Sequence, residues 1–131
     1  MKKIVLDTNA YSNFLRGDNK VLAALTEAEI VYMSIFVIAE LLTGFKGGQK
    51  EIRNKNLLKE FLEKPTVQIL DGTTETSEFF AEVKNTLKQA GNPIPINDVW
   101  IAAHTLETGS TLITYDKHFH YIPGLRVWDF T

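Results

Sequence analysis

Short unbroken apolar runs alternate along this chain with longer segments whose apolar residues recur at helical spacing. Ile4-Val5-Leu6 is the first run, and Asp7 stops it. Glu29-Ile30-Val31-Tyr32-Met33, Val67-Gln68-Ile69-Leu70, Thr111-Leu112-Ile113-Thr114 and Leu125 to Trp128 follow. Such runs suit strands buried on both faces of a parallel sheet. Between them the spacing predicts helices over Asn9 to Arg16, Lys20 to Leu25, Ile35 to Phe45, Gln49 to Leu62, Thr74 to Ala90 and Asp98 to Thr108. Gly17, Gly47-Gly48, Pro65, Gly91 and Gly109 punctuate their ends, as glycine and proline do where a helix must stop. Regular alternation of strand and helix predicts a parallel sheet with right-handed crossovers and helices on both faces.

Individual positions refine the pattern. Val21, Leu22 and Leu25 are expected inward on the second helix; Ile52, Leu57, Leu58, Phe61 and Leu62 form the expected buried face of the fourth. Ser34 is the expected N-cap of the Ile35 helix, Thr74 or Ser77 that of the next-to-last, and Asn97 that of the last. The Ile35 to Phe45 helix is apolar nearly all round, which predicts complete burial. Glu40 stands in its middle. A buried lone carboxylate is costly and either stays neutral or finds a partner; the plainer alternative is a Glu40 that reaches solvent or pairs with a lysine.

At 131 residues, 44% hydrophobic and 23% charged, the composition fits one globular domain over residues 1–131. There is no cysteine, which excludes disulfides, thiolate nucleophiles and cysteine-held zinc. The opening apolar run is too short for a signal peptide or a membrane span, so a cytoplasmic protein with no membrane partner is expected. A net charge of −2 is uninformative about polyanions, but Lys46, Lys50, Arg53, Lys55, Lys59 and Lys64 concentrate in one segment. Lys46, Lys50 and Arg53 are candidate contacts to a nucleic-acid phosphate backbone. The alternative is a solvated helix face with ion pairs along it.

Four acids share one description. Asp7 and Asp116 follow strands, Glu40 lies early in the helix after the second strand, and Asp98 opens the last helix. Strand carboxyl ends in a parallel sheet share one edge, where open α/β sheets hold ligands. Asp98 joins them only if the stiff Asn92-Pro93-Ile94-Pro95-Ile96 loop arrives at that edge. Clustered carboxylates need a counter-ion. Hard oxygen donors without cysteine or a histidine cluster select Mg²⁺ or Mn²⁺. Such a centre suits phosphodiester hydrolysis, with the metal lowering a water's pKa and neutralising charge on the phosphate. The other acid-based reading is a haloacid-dehalogenase-like phosphatase with Asp7 as nucleophile. That chemistry wants a second acid two residues on, where Asn9 stands. Asn9 could bond Asp7 or a metal-held water, or cap its helix; Thr8 reads mainly as a cap. His104 and His118 read first as core-packing or turn residues, with metal ligation the alternative for each and substrate contact a further one for His118 beside Asp116; Trp100 and Trp128 read as core or dimer surface.

Ile4-Val5-Leu6-Asp7-Thr8-Asn9, Ala39-Glu40-Leu41, Asn97-Asp98-Val99-Trp100-Ile101-Ala102-Ala103 and Thr114-Tyr115-Asp116-Lys117-His118-Phe119 together resemble the motifs of PIN-domain ribonucleases. The resemblance runs through essentially the whole chain, and at this size it is most similar to the VapC toxins of type II toxin–antitoxin pairs. It implies an α/β/α sandwich with a mainly parallel sheet of four to five strands. It implies a metal-dependent endoribonuclease with Asp7, Glu40, Asp98 and Asp116 as catalytic and metal-holding acids, and with Thr114 supporting them. It also implies a homodimer and a VapB-like antitoxin that sends a basic side chain into the acidic pocket. A PIN-like RNA-processing nuclease outside any such pair is the alternative within the resemblance.

Overall fold

A computed structural model describes residues 2–130. Strands β1 (Lys3–Leu6), β2 (Ile30–Ser34), β3 (Val67–Leu70), β4 (Thr111–Ile113) and β5 (Arg126–Val127) form one sheet in the order β3-β2-β1-β4-β5, and every neighbouring pair is parallel. Helices α1 (Thr8–Leu15), α2 (Asn19–Glu27), α3 (Ile35–Phe45), α4 (Glu51–Leu62), α5 (Thr74–Ala90) and α6 (Ile96–Thr108) flank it. The expected α/β sandwich is therefore the fold.

β1 is the centre. Val5 lies opposite Tyr32 on β2 and opposite Leu112 on β4. Ile4, Val5 and Leu6 are fully buried, which accounts for a run with no alternation. The chain builds outward from β1 to β2 and β3 on one side, then returns to place β4 and β5 on the other. Strand order thus reverses between β1 and β4. At such a switch the connections leave in opposite directions and open a crevice beyond the strand carboxyl ends. Asp7 and the Thr114–Asp116 turn lie there.

The helices differ from expectation in their surfaces and caps. α3 is not buried all round. Val37 and Leu41 are buried, but Ile35 and Leu42 are 39% and 38% exposed, because the helix meets the rest of the chain along one side. Ile52 on α4 is 79% exposed; the buried stripe of that helix is Leu58 and Phe61, and Ile52 sits at its first turn, off that stripe. On α2 the inner face is Val21 and Ala24, which turns Leu22 out to 48% exposure. Asp7 caps α1, so Thr8 is the first helical residue rather than a cap. Thr73 caps α5 through a reciprocal box with Thr76, in place of Thr74 or Ser77. α6 starts earlier, at Ile96, with Pro95 before it and no side-chain cap, so Asn97 lies inside its first turn.

Ser34 is the cap expected of it, accepting from the Phe36 N–H at 3.1 Å. The same buried hydroxyl meets His104 Nδ1 on α6 at 3.0 Å. This ties the start of α3, which carries Glu40, to the helix that carries Asp98. Replacing a capping serine and leaving a buried ring nitrogen unpaired costs about 1–3 kcal/mol. Ser34→Ala is expected to lower the unfolding free energy by that amount, measured as a lower urea midpoint at an unchanged unfolding slope.

Candidate active site

Asp7 is held by both neighbours of β1's end. Its N–H donates to the Ile113 carbonyl at 3.0 Å, continuing the β1–β4 pairing by one residue. Its Oδ1 accepts from the Thr8 N–H at 2.8 Å and its Oδ2 from the Thr114 hydroxyl at 2.7 Å. Only 3% of the residue is exposed. Burial pushes the carboxyl up from its ordinary value to about 6, against the two hydrogen bonds, with Asp98 and Glu40 adding repulsion.

Thr114 is held on several sides. Its hydroxyl accepts from the Asp116 N–H at 3.0 Å while donating to Asp7. Its carbonyl accepts from Trp128 Nε1 at 2.6 Å. Asn9 does not bond Asp7. Its Oδ1 accepts from the Tyr115 N–H at 3.1 Å and its amide lies 3.4 Å from the Thr114 hydroxyl. It braces the turn after β4. Tyr115 packs edge-on against Trp128 and Phe130, and its hydroxyl donates to Asp18. Trp128 is buried core, and Trp100 is stacked between Phe36 and Phe80.

Glu40 enters from α3. Its Oε1 accepts from the Thr8 hydroxyl at 2.9 Å, so Thr8 serves the acid rather than the helix end. Asp98 enters from the first turn of α6, delivered by the proline loop. Burial raises its pKa; the nearby His118 opposes this, and Glu40 and Asp116 reinforce it. Asp116 follows β4 with its side chain 46% exposed. A cavity of about 430 Å³ is lined by Asp7, Thr8, Asn9, Glu40, Pro95, Ile96, Asn97, Asp98 and Asp116. The four acids named from the sequence thus share one wall of space, and no lysine or arginine lines it.

Ligand atoms of Asp7, Glu40 and Asp98 lie within 4.8 Å of one another, as do those of Asp98, Asp116 and His118. Asp98 belongs to both sets. His118 was expected in a turn, and it is in one, the 3₁₀ helix Lys117–Tyr121. That turn also swings its ring back into the acids, and its contact with Asp98 is what sequence reasoning missed. Nε2 is 2.8 Å from Asp98 Oδ2 and Nδ1 is 3.4 Å from Asp116 Oδ1. The signal was its place two residues after Asp116, too short-range to reveal Asp98. His104 is buried core, as expected.

The basic candidates lie elsewhere. Lys50 and Arg53 border a separate hollow of about 760 Å³ with Gln49, Ile52, Asn56 and Leu57 at the start of α4. Lys46 stands 3.7 Å from Glu51, whose carboxylate also accepts from the Gly47 N–H. Among the described residues no helix is long and apolar enough to cross a membrane.

A parallel sheet whose order reverses at β1, with acids gathered beyond that reversal, defines an α/β fold with an acid-lined crevice at its switch point. The chain belongs to the PIN domain family, whose profile matches residues 4–125. It is 33% identical to ribonuclease VapC1 of Haemophilus influenzae, an alignment covering 97% of this chain and 97% of that protein. It is 32% identical to ribonuclease VapC2 of Rickettsia felis over 82% of this chain and 81% of the relative. Among solved structures it superposes on VapBC2 of Rickettsia felis bound to a promoter DNA fragment, with TM-score 0.85 and 27% identity, covering 97% and 99% of the two chains. VapBC-1 of nontypeable Haemophilus influenzae gives TM-score 0.85 at 28% identity over 97% of each.

The raised Asp7 carboxyl has a stability consequence. Its unfolded-state pKa is near the ordinary 3.8 and its folded value is about 6. Between those values the folded state holds the extra proton, so stability falls as pH rises through this window. The penalty above pH 6 is on the order of 2–3 kcal/mol. In metal-free protein, Asp7→Asn is expected to raise the melting temperature at pH 7 and to flatten the decline between pH 4 and 6. Paired thermal-unfolding series across that range check both.

Proposed function

We propose that the chain is a divalent-metal-dependent endoribonuclease and the toxin of a VapBC-type pair. The observation that carries this reading is the single cavity shared by Asp7, Glu40, Asp98 and Asp116. Its fit to a metal rests on the donor set. Four carboxylates converge without a lysine or arginine among the lining residues, and burial leaves Asp7 and Asp98 reluctant to ionise. Hard oxygen donors suit Mg²⁺, with Mn²⁺ as the alternative. Asp7, Glu40, Asp98 and Asp116 would hold the ion. When bound it supplies Lewis acidity toward a phosphodiester and acidifies water.

The protein's own residues do the rest. Thr114 and the Thr8 N–H fix both oxygens of Asp7. Thr8 orients Glu40, and Asn9 keeps the turn bearing Asp116 in place. Lys50 and Arg53, on the α4 side, draw the RNA backbone to a protein whose cavity is acidic. The curated relatives are named ribonucleases and the matched structures are VapBC complexes. These support a toxin with an antitoxin partner over an RNA-processing nuclease outside such a pair. A homodimer belongs to the same proposal, and exposed Ile35 and Leu42 on α3 are apolar positions that a partner would cover.

RNA cleavage by purified protein with Mg²⁺ is expected to vanish with EDTA and to fall at least about 100-fold in Asp7→Asn or Asp98→Asn, as loss of an essential charge-stabilising group does. Cleavage that survives both treatments ends the metal reading.

RNA affinity gives a second test. Lys50→Ala with Arg53→Ala is expected to weaken binding of uncleavable RNA and to lower the salt slope by about one to two ions. Lys46→Ala is expected to do less, because Glu51 lies 3.7 Å from that lysine and offsets part of its charge. Filter-binding titrations at several salt concentrations measure these slopes.

A further inference from the structure

We propose that His118 is a positioning residue of this site: its imidazole spans Asp98 and Asp116 and holds their carboxylates at the separation a divalent cation requires. The inference rests on the metal reading above and deepens it.

The acids are not supported alike. Asp7 has two hydrogen-bond donors and Glu40 has the Thr8 hydroxyl. Among the described residues, the carboxylates of Asp98 and Asp116 have the His118 ring as their polar contact. These two acids come from different elements, α6 and the turn after β4. Two carboxylates on separate elements keep a fixed separation only where something between them braces both. His118 stands between them, 2.8 Å from one and 3.4 Å from the other.

The ring is itself fixed. Phe119, fully buried, anchors the 3₁₀ helix and lies 4.8 Å from the imidazole. The His118 side chain is 23% exposed, and its ring lies against both Phe119 and the two acids. Each ring nitrogen lies beside an oxygen of a different acid, Nε2 beside Asp98 and Nδ1 beside Asp116. The Nε2 contact is close but off the N–H axis, and the atom is buried with no well-directed hydrogen bond. The ring, held by packing, therefore acts as a spacer in short polar contact with both acids. Partners of this kind, which orient the ligating groups, change metal affinity by roughly 10–100-fold when removed.

The test is Mn²⁺ binding to the metal-free full chain, followed by the electron paramagnetic resonance of free Mn²⁺. His118→Phe keeps the ring's volume and removes both polar contacts; it is expected to weaken Mn²⁺ binding about tenfold or more. Should that variant fail to fold, His118→Asn, too short to span both acids, carries the same expectation. Pulsed resonance of bound Mn²⁺ in the unsubstituted protein is expected to show no directly coordinated nitrogen. Unchanged affinity in a folded His118 variant overturns the proposal. So does a coordinated-nitrogen coupling that disappears in His118→Phe, which makes the ring a ligand. Asp98→Asn separates the two levels. If it leaves Mn²⁺ affinity unchanged, the metal reading has failed, and this role fails with it.

Discussion

Mutual repulsion of carboxylates is the constraint around which this molecule is arranged. Two unit charges about 5 Å apart repel by roughly 3 kcal/mol at an effective dielectric of 20. Two overlapping sets of donor atoms here lie within 4.8 Å, so several such terms act together. A typical domain has only about 5–15 kcal/mol of net stability to set against them. The central strand answers this with complete burial of Ile4, Val5 and Leu6, which fixes the root of Asp7. The remaining answer is local: Thr8, Thr114 and His118 each contact an acid where repulsion would otherwise spread it. Burial raises the Asp7 and Asp98 carboxyls, so the metal-free site takes up protons more readily than free carboxylates do.

The periodicity of the chain carried the strand–helix alternation because buried parallel strands and amphipathic helices obey different spacings. The acids were legible for a related reason. Asp7 and Asp116 interrupt apolar runs at strand ends, and Glu40 interrupts an apolar helix. What the sequence hid is set by contacts between distant residues. The 3₁₀ turn that brings His118 to Asp98 depends on Phe119 finding the core. Asn9 serves Tyr115, more than a hundred positions away by chain number and adjacent only through the β1–β4 pairing. Caps were misassigned where neighbouring residues had equal chemistry: Thr73, Thr74 and Ser77 can all cap, and only backbone geometry chooses Thr73.

Apolar residues were misread in the opposite sense. Ile35, Leu42, Ile52 and Leu22 were expected inside and lie outside. Hydrophobicity reports that a residue avoids water, without saying whether its own chain or another molecule provides the cover. α3 joins these two roles on one helix. Its inner side, Val37 and Leu41, packs into the core, its outer side carries Ile35 and Leu42, and Glu40 projects to the cavity between them. Anything that presses on the outer side of α3 bears on the helix that positions an acid.

The same geometry separates hydrolysis by water from attack by the protein. A phosphatase working through an aspartyl intermediate needs a carboxylate oxygen free to approach phosphorus in line, and a second acid close by to protonate the leaving oxygen. Asp7 is 3% exposed, with one oxygen bound to the Thr8 N–H and the other to the Thr114 hydroxyl. Swinging it toward a substrate would break both bonds and uncap α1. The position two residues on is Asn9, whose carbonyl oxygen is committed to the Tyr115 N–H and which has no acidic proton to give. A side chain built into the end of the central strand can hold a cation or orient what the cation holds. It is badly placed to become a covalent intermediate, and that favours a water nucleophile over Asp7.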